Sequence, residues 1–389
     1  MSVLAKIGGG PRERYVLLAA FAVLGLLLPA LNLLVPESSA LHVPSYMLQL
    51  IGKFACYALA ALALDLIWGF SGVLSLGQGV FFAMGGYCMG MYLMRSMAGE
   101  GVYKSDLPDF MVFLDWKELP WYWLGFGNFH FALLMAMVVP GLLAFAFGFL
   151  AFRSRIRGVY FSIITQAMTY AMMLLFFRNE TGFGGNNGLT DFKRILGYSL
   201  TDGGTKLTLY VVTIAVLFVT YVGCRALVAS KVGRVLRAIR DQESKVMFCG
   251  YNPRDYKLFA WTLAAVITGL AGALYVPQVG IINPSEMEPA SSIEMAIWVA
   301  VGGRGTLTGA LLGAGVVNGL KSWLTASYPD AWLYALAALF VLVTLLLPDG
   351  LVGLLARIRA PKKKPKNENA GTSPQLAVPV AKTGAQGKV

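Results

Sequence analysis

The sequence contains few of the side chains from which catalytic and metal centres are usually built. Only two histidines occur in 389 residues, and His42 and His130 stand far apart. The four cysteines match no metal-binding motif and no disulfide framework: Cys56, Cys88, Cys224 and Cys249. The chain also lacks the GxxxxGK[ST] loop that holds nucleotide phosphates. We therefore expect neither a metal nor a bound cofactor, and we do not expect an enzyme.

Charge is scarce as well, because Asp, Glu, Lys and Arg make up only 13% of the residues, whereas hydrophobic residues make up 57%. The hydrophobic residues form long apolar runs. Such runs cross a lipid bilayer as helices, in which each backbone N–H and C=O group is hydrogen-bonded within the helix. We predict an all-α, polytopic membrane protein of about ten spans. They lie at roughly 15–35, 46–68, 76–97, 123–152, 157–177, 207–228, 257–276, 290–303, 306–325 and 331–348.

The net charge of +12 would suggest a nucleic-acid partner in a soluble protein. Here the basic residues concentrate in particular loops, which predicts that both termini are cytosolic and that no nucleic acid is bound. The organisation expected is a cytosolic N-terminus at 1–14, a membrane domain at 15–357 and a disordered basic tail at 358–389. We interpret the first apolar run as a retained span rather than a signal peptide, because it is too long for a typical signal.

Two segments are rich in small residues. The first is SGVLSLGQGVFFAMGGYCMGMY, with Gly85, Gly86 and Gly90, and the second is GGRGTLTGALLGAGVVNG, where Gly309 and Gly313 have GxxxG spacing. Small residues let helices approach closely, and irregular backbone is tolerated in a membrane where protein or water satisfies it. The first segment therefore favours a broken or tightly packed helix that lines a path, with packing alone as the alternative.

Two acidic residues, Asp65 and Glu294, fall inside predicted spans, and Glu294 is the candidate for a solute path. Glu294 lies nine residues before Gly303 and so about 14 Å from that turn along a helix. An acid at this depth is costly and suggests a role in a solute path. The alternative is a structural carboxylate. Lys321 is expected at about the same depth in the membrane as Glu288 on the preceding span, with which it would form an ion pair.

Neutral polar residues are further candidates for the path. A small polar solute needs partners to replace its water, and Gln78 and Gln166 offer amides inside spans. Each is also consistent with hydrogen bonding between helices. Asn186 and Asn187 lie in a glycine-rich external segment that forms either an outer gate or a plain turn.

The longest basic segment is the loop at 229–256. Between Val228 and Lys257 it carries seven Lys or Arg, and its apolar residues have helical spacing up to a stop at Gly250. Such a segment can dock a short helix into a groove on a cytosolic partner. The alternative is an ordinary positively charged inner loop.

Five motifs resemble the permease subunits of the branched-chain amino-acid family of ABC importers, in the same order along residues 60 to 320. They are SGVLSLGQGVFFAMGGY, TGFGGNNGLTDF, GRVLRAIRDQES, GLAGALY and SSIEMAIWVAVGGRGTLTGALLGA. The version TGFGGNNGLTDFK looks more like the urea-transporting permease subunit than like its amino-acid relatives, whose stretch usually reads nearer TGG-x-NGL.

The resemblance implies a bacterial inner-membrane protein that imports urea, together with a homologous second permease, two cytosolic ATPase subunits that bind ATP, and a periplasmic solute-binding protein. It also implies that Gly233 to Asn252 is the coupling loop, for which our candidates are Arg237, Arg240, Glu243, Gly250 and Asn252. Branched-chain amino acids and short amides are alternative solutes. A self-contained secondary transporter or channel is the alternative of a different class.

Overall fold

Helices form most of the chain that the computed structural model describes, which is residues 11–39, 41–156, 158–330, 334–335, 337–338, 341–342 and 350–359. The helices are α1 (Pro11–Ala22), α2 (Leu28–Leu34), α3 (Ser45–Ser71), α4 (Gln78–Arg95), α5 (Asp109–Phe113), α6 (Phe129–Arg153), α7 (Val159–Phe177), α8 (Gly203–Ala229), α9 (Lys231–Phe248), α10 (Pro253–Val279), α11 (Pro289–Gly302), α12 (Leu307–Ser327) and α13 (Gly350–Arg359). A π-helical segment at Val23–Leu27 joins α1 to α2, and four 3-10 helices lie between the α-helices at Trp121–Gly127, Asn179–Thr181, Gly185–Asn187 and Pro284–Met287. The described residues also form four two-residue strands: β1 (Leu189–Thr190), β2 (Arg194–Ile195), β3 (Tyr198–Ser199) and β4 (Ile281–Ile282).

Within the described residues, six stretches of helix are long and apolar enough to cross a membrane, or seven if α11 and α12 form one bent span. The six are 15–34, 45–71, 129–153, 159–177, 203–229 and 253–279. The all-α membrane fold is therefore confirmed, but the count of ten spans is not. The expected span at 331–348 and both expected terminal segments lie wholly or largely outside the described residues.

The expected spans at 290–303 and 306–325 are not two full crossings. α11 has only 14 residues and so is about 21 Å long, which is shorter than the roughly 30 Å hydrocarbon core. The chain then bends by 116° before α12. Gly303 and Gly305 permit this bend because both have positive φ, at 123° and 77°.

The expected span at 76–97 corresponds to α4, which begins at Gln78 and is not one of these six stretches. α3 ends at Ser71, Gly72 adopts φ 76°, and residues 73–77 are not helical before α4 starts. Side chains of α7 bond the backbone of this break. Ser162 donates to the Leu74 carbonyl at 2.8 Å, and Thr169 donates to the Leu76 carbonyl at 3.1 Å. Hydroxyl groups of α7 thus supply the hydrogen bonds that these backbone carbonyls lack in the break and that lipid tails cannot supply.

The helix α10 packs against α4 backbone to backbone. A side chain at Gly85 would meet the Gly269 backbone, and one at Gly272 would meet the Phe82 carbonyl. Gly86 and Gly90, further along α4, leave room for the side chains of Ile282 and Leu189. The glycines of α4 therefore bring α10 and the strands β1 and β4 close to it.

The strands join two segments that are distant in sequence. β1 and β4 are antiparallel, with Leu189 opposite Ile282 and Thr190 opposite Ile281. This pairing fixes the end of α10 and the 3-10 turn Pro284–Met287 against the segment after α7.

α11 and α12 also meet through small residues. A side chain at Gly309 would meet Gly302, and one at Gly313 would meet the Trp298 carbonyl. Gly315 and Gly319, which have the same spacing on α12, have nothing within 4 Å of such a side chain. The first GxxxG pair therefore lies in the contact with α11, and the second does not.

We predict that Gly85→Ala destabilises the fold, because the added methyl group enters the contact with Gly269 and overpacking costs about 1 to 3 kcal/mol. The matched control is Gly315→Ala, which adds the same group to an exposed helical position. Thermal unfolding of the purified protein in detergent measures the difference. Equal unfolding temperatures for the two variants would show that α4 and α10 do not pack this closely.

Candidate functional site

Polar side chains from five elements meet on one side of the bundle, and we call them the four-charge cluster. α3 contributes Lys53 and Tyr57 one turn apart, and the other elements are α10, the turn before α11, α11 itself and α12. The other members are Tyr275, Glu286, Glu294 and Lys321.

The two tyrosines connect α3 to the turn before α11. The Tyr57 hydroxyl donates to the Tyr275 hydroxyl at 3.5 Å, and the Tyr275 hydroxyl donates to Oε1 of Glu286 at 3.1 Å. Burial raises the pKa of Glu286 above its ordinary value, although the bond from Tyr275 and the charge of Lys53 act in the opposite direction. Glu286 is thus a half-buried carboxyl group that accepts a hydrogen bond from one hydroxyl group.

The second carboxylate of the cluster has a cationic partner. Lys321 Nζ lies 2.7 Å from Oε1 and 2.9 Å from Oε2 of Glu294. The expected pair between Lys321 and Glu288 is wrong, since Glu288 is exposed at the start of α11. That expectation was based on the rise per residue along two antiparallel helices. The 116° bend between α11 and α12 places Lys321 beside Glu294 instead.

The structure does not join the candidate path residues into one site. Gln78 is fully buried, and its Oε1 accepts from Thr268 at 3.1 Å, while Nε2 has no partner among the described residues. Gln166 is half-buried on α7. Asn186 and Asn187 are exposed in a 3-10 turn. Within the described chain, no hydrogen bond links any two of these residues or links one of them to Glu294.

Asn187 does line a cavity of about 200 Å³ near the β1–β4 pair. Asp109, Asp191 and Lys193 line the same cavity. The cavity therefore combines an amide, two carboxylates and an ammonium group at the end of the bundle where the strands lie.

At the opposite end, the expected helix of the basic loop is present as α9. Its sequence KVGRVLRAIRDQESKVMF has five basic and two acidic side chains. Val235, Leu236 and Ile239 are buried, and Val235 and Ile239 pack with Val246, Tyr251 and Tyr256. The rest of the surface of α9 is largely exposed.

Most of the expected coupling residues bond within this chain. Arg237 donates to the Val228 carbonyl at 3.3 Å and so caps the end of α8. Glu243 forms an ion pair with Lys257 at 2.9 Å, and Asn252 donates to Asp255 at 2.8 Å. Gly250 has φ 81°, which permits the turn between α9 and α10.

α9 is bent, and its bend creates a groove. Gln242 has non-helical dihedral angles, with φ −153° and ψ 87°. The groove has a volume of about 720 Å³ and is lined by apolar Val235 and Val246 and by the basic ends of α9. Beyond it, Phe248 is 92% exposed. The helical spacing of the apolar residues in the sequence predicted the helix, but it did not show that the Phe248 side chain is exposed on it.

Arg240 connects α9 to the bundle. Its Nη1 donates to the Gly69 carbonyl at 2.7 Å, and its side chain contacts the Cα region of Gly72. Asp65, one turn before Gly69, is fully buried and accepts from the Gly305 amide at 2.7 Å. We call Asp65, Gly69, Arg240 and Gly305 the α9-end network. Sequence reasoning missed it, because the signal is a buried acid whose partner is a backbone amide far along the chain.

Comparison with known proteins supplies the family. A model described as "Branched-chain amino acid transport system / permease component" matches residues 46–346. The "High-affinity branched-chain amino acid transport system permease protein LivM" of Escherichia coli is 25% identical over 320 residues, which are 76% of this chain and 67% of that protein. The "Probable branched-chain amino acid transport permease protein LivM" of Methanocaldococcus jannaschii is 24% identical over 340 residues, 82% of this chain and 96% of that protein.

A third relative is named for the import of a different solute. The "Autoinducer 2 import system permease protein LsrC" of an Enterobacter species is 27% identical over 225 residues, 56% of this chain and 63% of that protein. No solved structure matches the chain.

We predict that Lys321→Met destabilises the protein more than the double change Glu294→Gln with Lys321→Met. The single change leaves a half-buried carboxylate without its ammonium partner, whereas the double change removes both charges. A double-mutant cycle measured by unfolding in detergent should give a coupling of about 1 to 3 kcal/mol. A coupling near zero would contradict the ion pair.

Proposed function

This chain belongs to the family of permease components of branched-chain amino acid transport systems, and we propose that it is the membrane subunit of an ATP-driven importer whose solute is urea. As a permease component it is not an enzyme, and it is a multi-pass protein of the inner membrane. The family model, which matches residues 46–346, is the observation that carries the transport function. The solute, the partners and the residues that contact them are the proposal.

The proposed partners are a homologous second permease, two cytosolic ATPase subunits and a periplasmic solute-binding protein. ATP is hydrolysed on the ATPase subunits, so this chain converts their motion into opening on one side of the membrane. α9 is the proposed contact with them. Its basic surface favours a partner with an acidic rim, and the exposed Phe248 and Met247 favour an apolar pocket at the centre of that surface.

We divide the expected coupling residues into three groups. Arg237, Glu243 and Asn252 hold α9 and its ends in place through bonds within this chain. Arg240 passes the displacement of α9 to the bundle, because it donates to Gly69 at the end of α3. Gly250 provides the turn that lets α9 return to α10.

The same contact reaches a second element of the bundle. Asp65 on α3 accepts from Gly305 in the bend between α11 and α12. A push on α9 therefore acts on α3 directly and on α11 and α12 through the buried carboxylate.

Urea is supported by the glycine-rich segment TGFGGNNGLTDFK, which resembles urea-transporting permeases. Urea has four N–H donors and one carbonyl acceptor. The cavity beside this segment offers matching groups, since the oxygens of Asn187 and Asp109 accept hydrogen bonds and Lys193 donates one. Asn186 is exposed beside it, and Gln78, Gln166 and Glu294 remain the proposed residues of the path further inside.

Branched-chain amino acids are the second candidate solute. The Escherichia coli and Methanocaldococcus relatives, which are named as branched-chain amino acid permeases, favour them. A self-contained secondary transporter would be a different class, and it would need no ATPase partner.

We expect the reconstituted complex to take up labelled urea only when ATP is present on the ATPase side, and to take it up in preference to labelled leucine. The measurement is uptake into liposomes with each solute and with each solute competing against the other. ATP-dependent uptake of leucine alone would assign the second candidate. Uptake by this chain without ATPase subunits would contradict the importer.

We also expect Cys249 to report contact with the ATPase, because Cys249 is exposed and the other three cysteines are buried. A membrane-impermeant maleimide should label inverted vesicles but not intact cells, and co-expression of the ATPase subunits should block the labelling. Cys249→Ser is the control for specificity.

In the same assay, Phe248→Ser should restore labelling in the presence of the ATPase. The matched control is Phe113→Ser, which removes an exposed aromatic side chain, 77% exposed, from a different part of the chain and should leave the protection unchanged. Labelling of Cys249 from outside intact cells would place α9 on the wrong side of the membrane for this function.

A further inference from the structure

The surface of α6 and α10 is positively charged at the end of the bundle where α9 lies. Arg153 is the last residue of α6, and Arg254 is the second residue of α10. The two helices are held side by side, because Trp261 of α10 donates to the Ala144 carbonyl at 2.7 Å and Gly148 leaves room for the tryptophan ring. This packing brings together two arginines that are far apart in the sequence.

Both arginines face the same aromatic ring. The guanidinium carbon of Arg254 lies 5.3 Å from the centre of the Phe149 ring, and that of Arg153 lies 5.9 Å from the same point. A ring attracts a cation through its quadrupole but has no net charge with which to neutralise it. Two like charges beside one ring repel each other, so an anion that contacts both of them stabilises the arrangement.

The described residues supply little negative charge at this place. Asp255 accepts from Nε of Arg254 at 3.4 Å, and the two terminal nitrogens of Arg254 form no hydrogen bond among the described residues. Arg153 and the neighbouring Arg155 are exposed, and in the described chain neither has a carboxylate within ion-pair distance. The surface therefore keeps an excess of positive charge.

An apolar strip leads from these arginines along α6. Leu142, Phe145, Phe149 and Arg153 are three or four residues apart and so lie on one face of the helix. Leu142 is 63% exposed and Phe145 is 50% exposed. The rings of Phe145 and Phe149 stack 6.3 Å apart. Because α6 is long and apolar enough to span the membrane, an exposed apolar strip on it favours acyl chains over water.

We propose that this surface, which we call the α6–α10 patch, binds one anionic phospholipid. Its residues are Leu142, Phe145, Phe149, Arg153 and Arg254. The lipid phosphate accepts hydrogen bonds from the two guanidinium groups, whose planar forks match a phosphate. An acyl chain lies along the three apolar side chains. Basic sites between spanning helices bind anionic headgroups in other membrane proteins, and in the orientation proposed above the patch faces the inner leaflet.

A protein partner is the other possible cover for this face. The order along α6, from apolar side chains to paired cations, is that of a phospholipid, whose tails are followed by a phosphate. A protein partner would have to place an acidic residue opposite the arginines at the edge of an apolar interface. The lipid meets both requirements with one molecule, and the inference does not depend on the solute or on the ATPase subunits.

The patch lies beside the attachment of α9 to α10. Lys257, one turn after Arg254, forms an ion pair with Glu243 of α9 at 2.9 Å. A lipid bound to Arg254 therefore contacts the first turn of α10, where α10 is joined to α9.

The test is native mass spectrometry of the full chain in detergent, with equal amounts of phosphatidylglycerol and phosphatidylcholine that have the same acyl chains. We expect the protein to retain phosphatidylglycerol in preference by roughly tenfold, and the double change Arg153→Gln with Arg254→Gln to remove most of this preference. Changing both arginines to lysine should cause a smaller loss, because lysine keeps the charge but lacks the fork.

The matched control is the double change Arg225→Gln with Arg234→Gln. It removes two arginines from the end of α8 and from α9, at the same end of the molecule but outside the patch, and it should leave the preference unchanged. An equal loss in this control would show a general attraction of the basic surface and would overturn the site. Equal retention of the two lipids by the wild type would also overturn it.

Two further measurements keep the inference testable. If the double glutamine variant fails to fold, Arg153→Gln and Phe149→Leu decide, because Arg153 is exposed and leucine keeps the strip apolar while removing the ring that faces both cations. Each should lower the preference for phosphatidylglycerol, and an unchanged preference in both would contradict the site. Release of the lipid when a second permease is co-expressed would assign this face to a protein interface instead.

Discussion

The close contact between α4 and α10 is the constraint on which the rest of the structure depends. Gly85 and Gly269 meet backbone to backbone, which no larger residue permits. With α4 held this close, Gly86 and Gly90 leave space for Ile282 and Leu189, and the two short strands can pair across the end of α10. The strand pair in turn places the turn that carries Glu286. A glycine contact between α4 and α10 therefore helps to determine where the half-buried Glu286 lies.

The same contact imposes the break before α4. Since α4 begins inside the bundle, residues 73–77 must connect it to the end of α3 without helical hydrogen bonds. In an apolar surrounding those backbone groups need partners, and Ser162, Thr165 and Thr169 of α7 supply them. Polar residues that suggest a solute path in the sequence can therefore form hydrogen bonds with the backbone instead. Thr165 and Thr169, which accompany Gln166, are residues of this kind.

The sequence predicted the local features of this fold better than its long-range contacts. The apolar runs located α3, α7, α8 and α10 within a few residues, because burial in lipid requires a continuous apolar helix. The partner of Lys321 was missed because it depends on the angle between α11 and α12, which glycines set and which no pattern along the chain encodes. Arg240 was expected to face a partner subunit, and its bond to Gly69 appears only when α9 folds back on α3.

The two polar regions of the molecule share the same two structural elements. α3 carries Lys53 and Tyr57 near its beginning and Asp65 and Gly69 near its end, twelve residues or about 18 Å from Lys53 to Asp65. The bent pair α11 and α12 carries Glu294 and Lys321 in one region and Gly305 in the other. Arg240 joins α9 to α3 at Gly69, and Asp65 joins α3 to the bend between α11 and α12. α3 therefore connects α9 with the elements that carry the four-charge cluster.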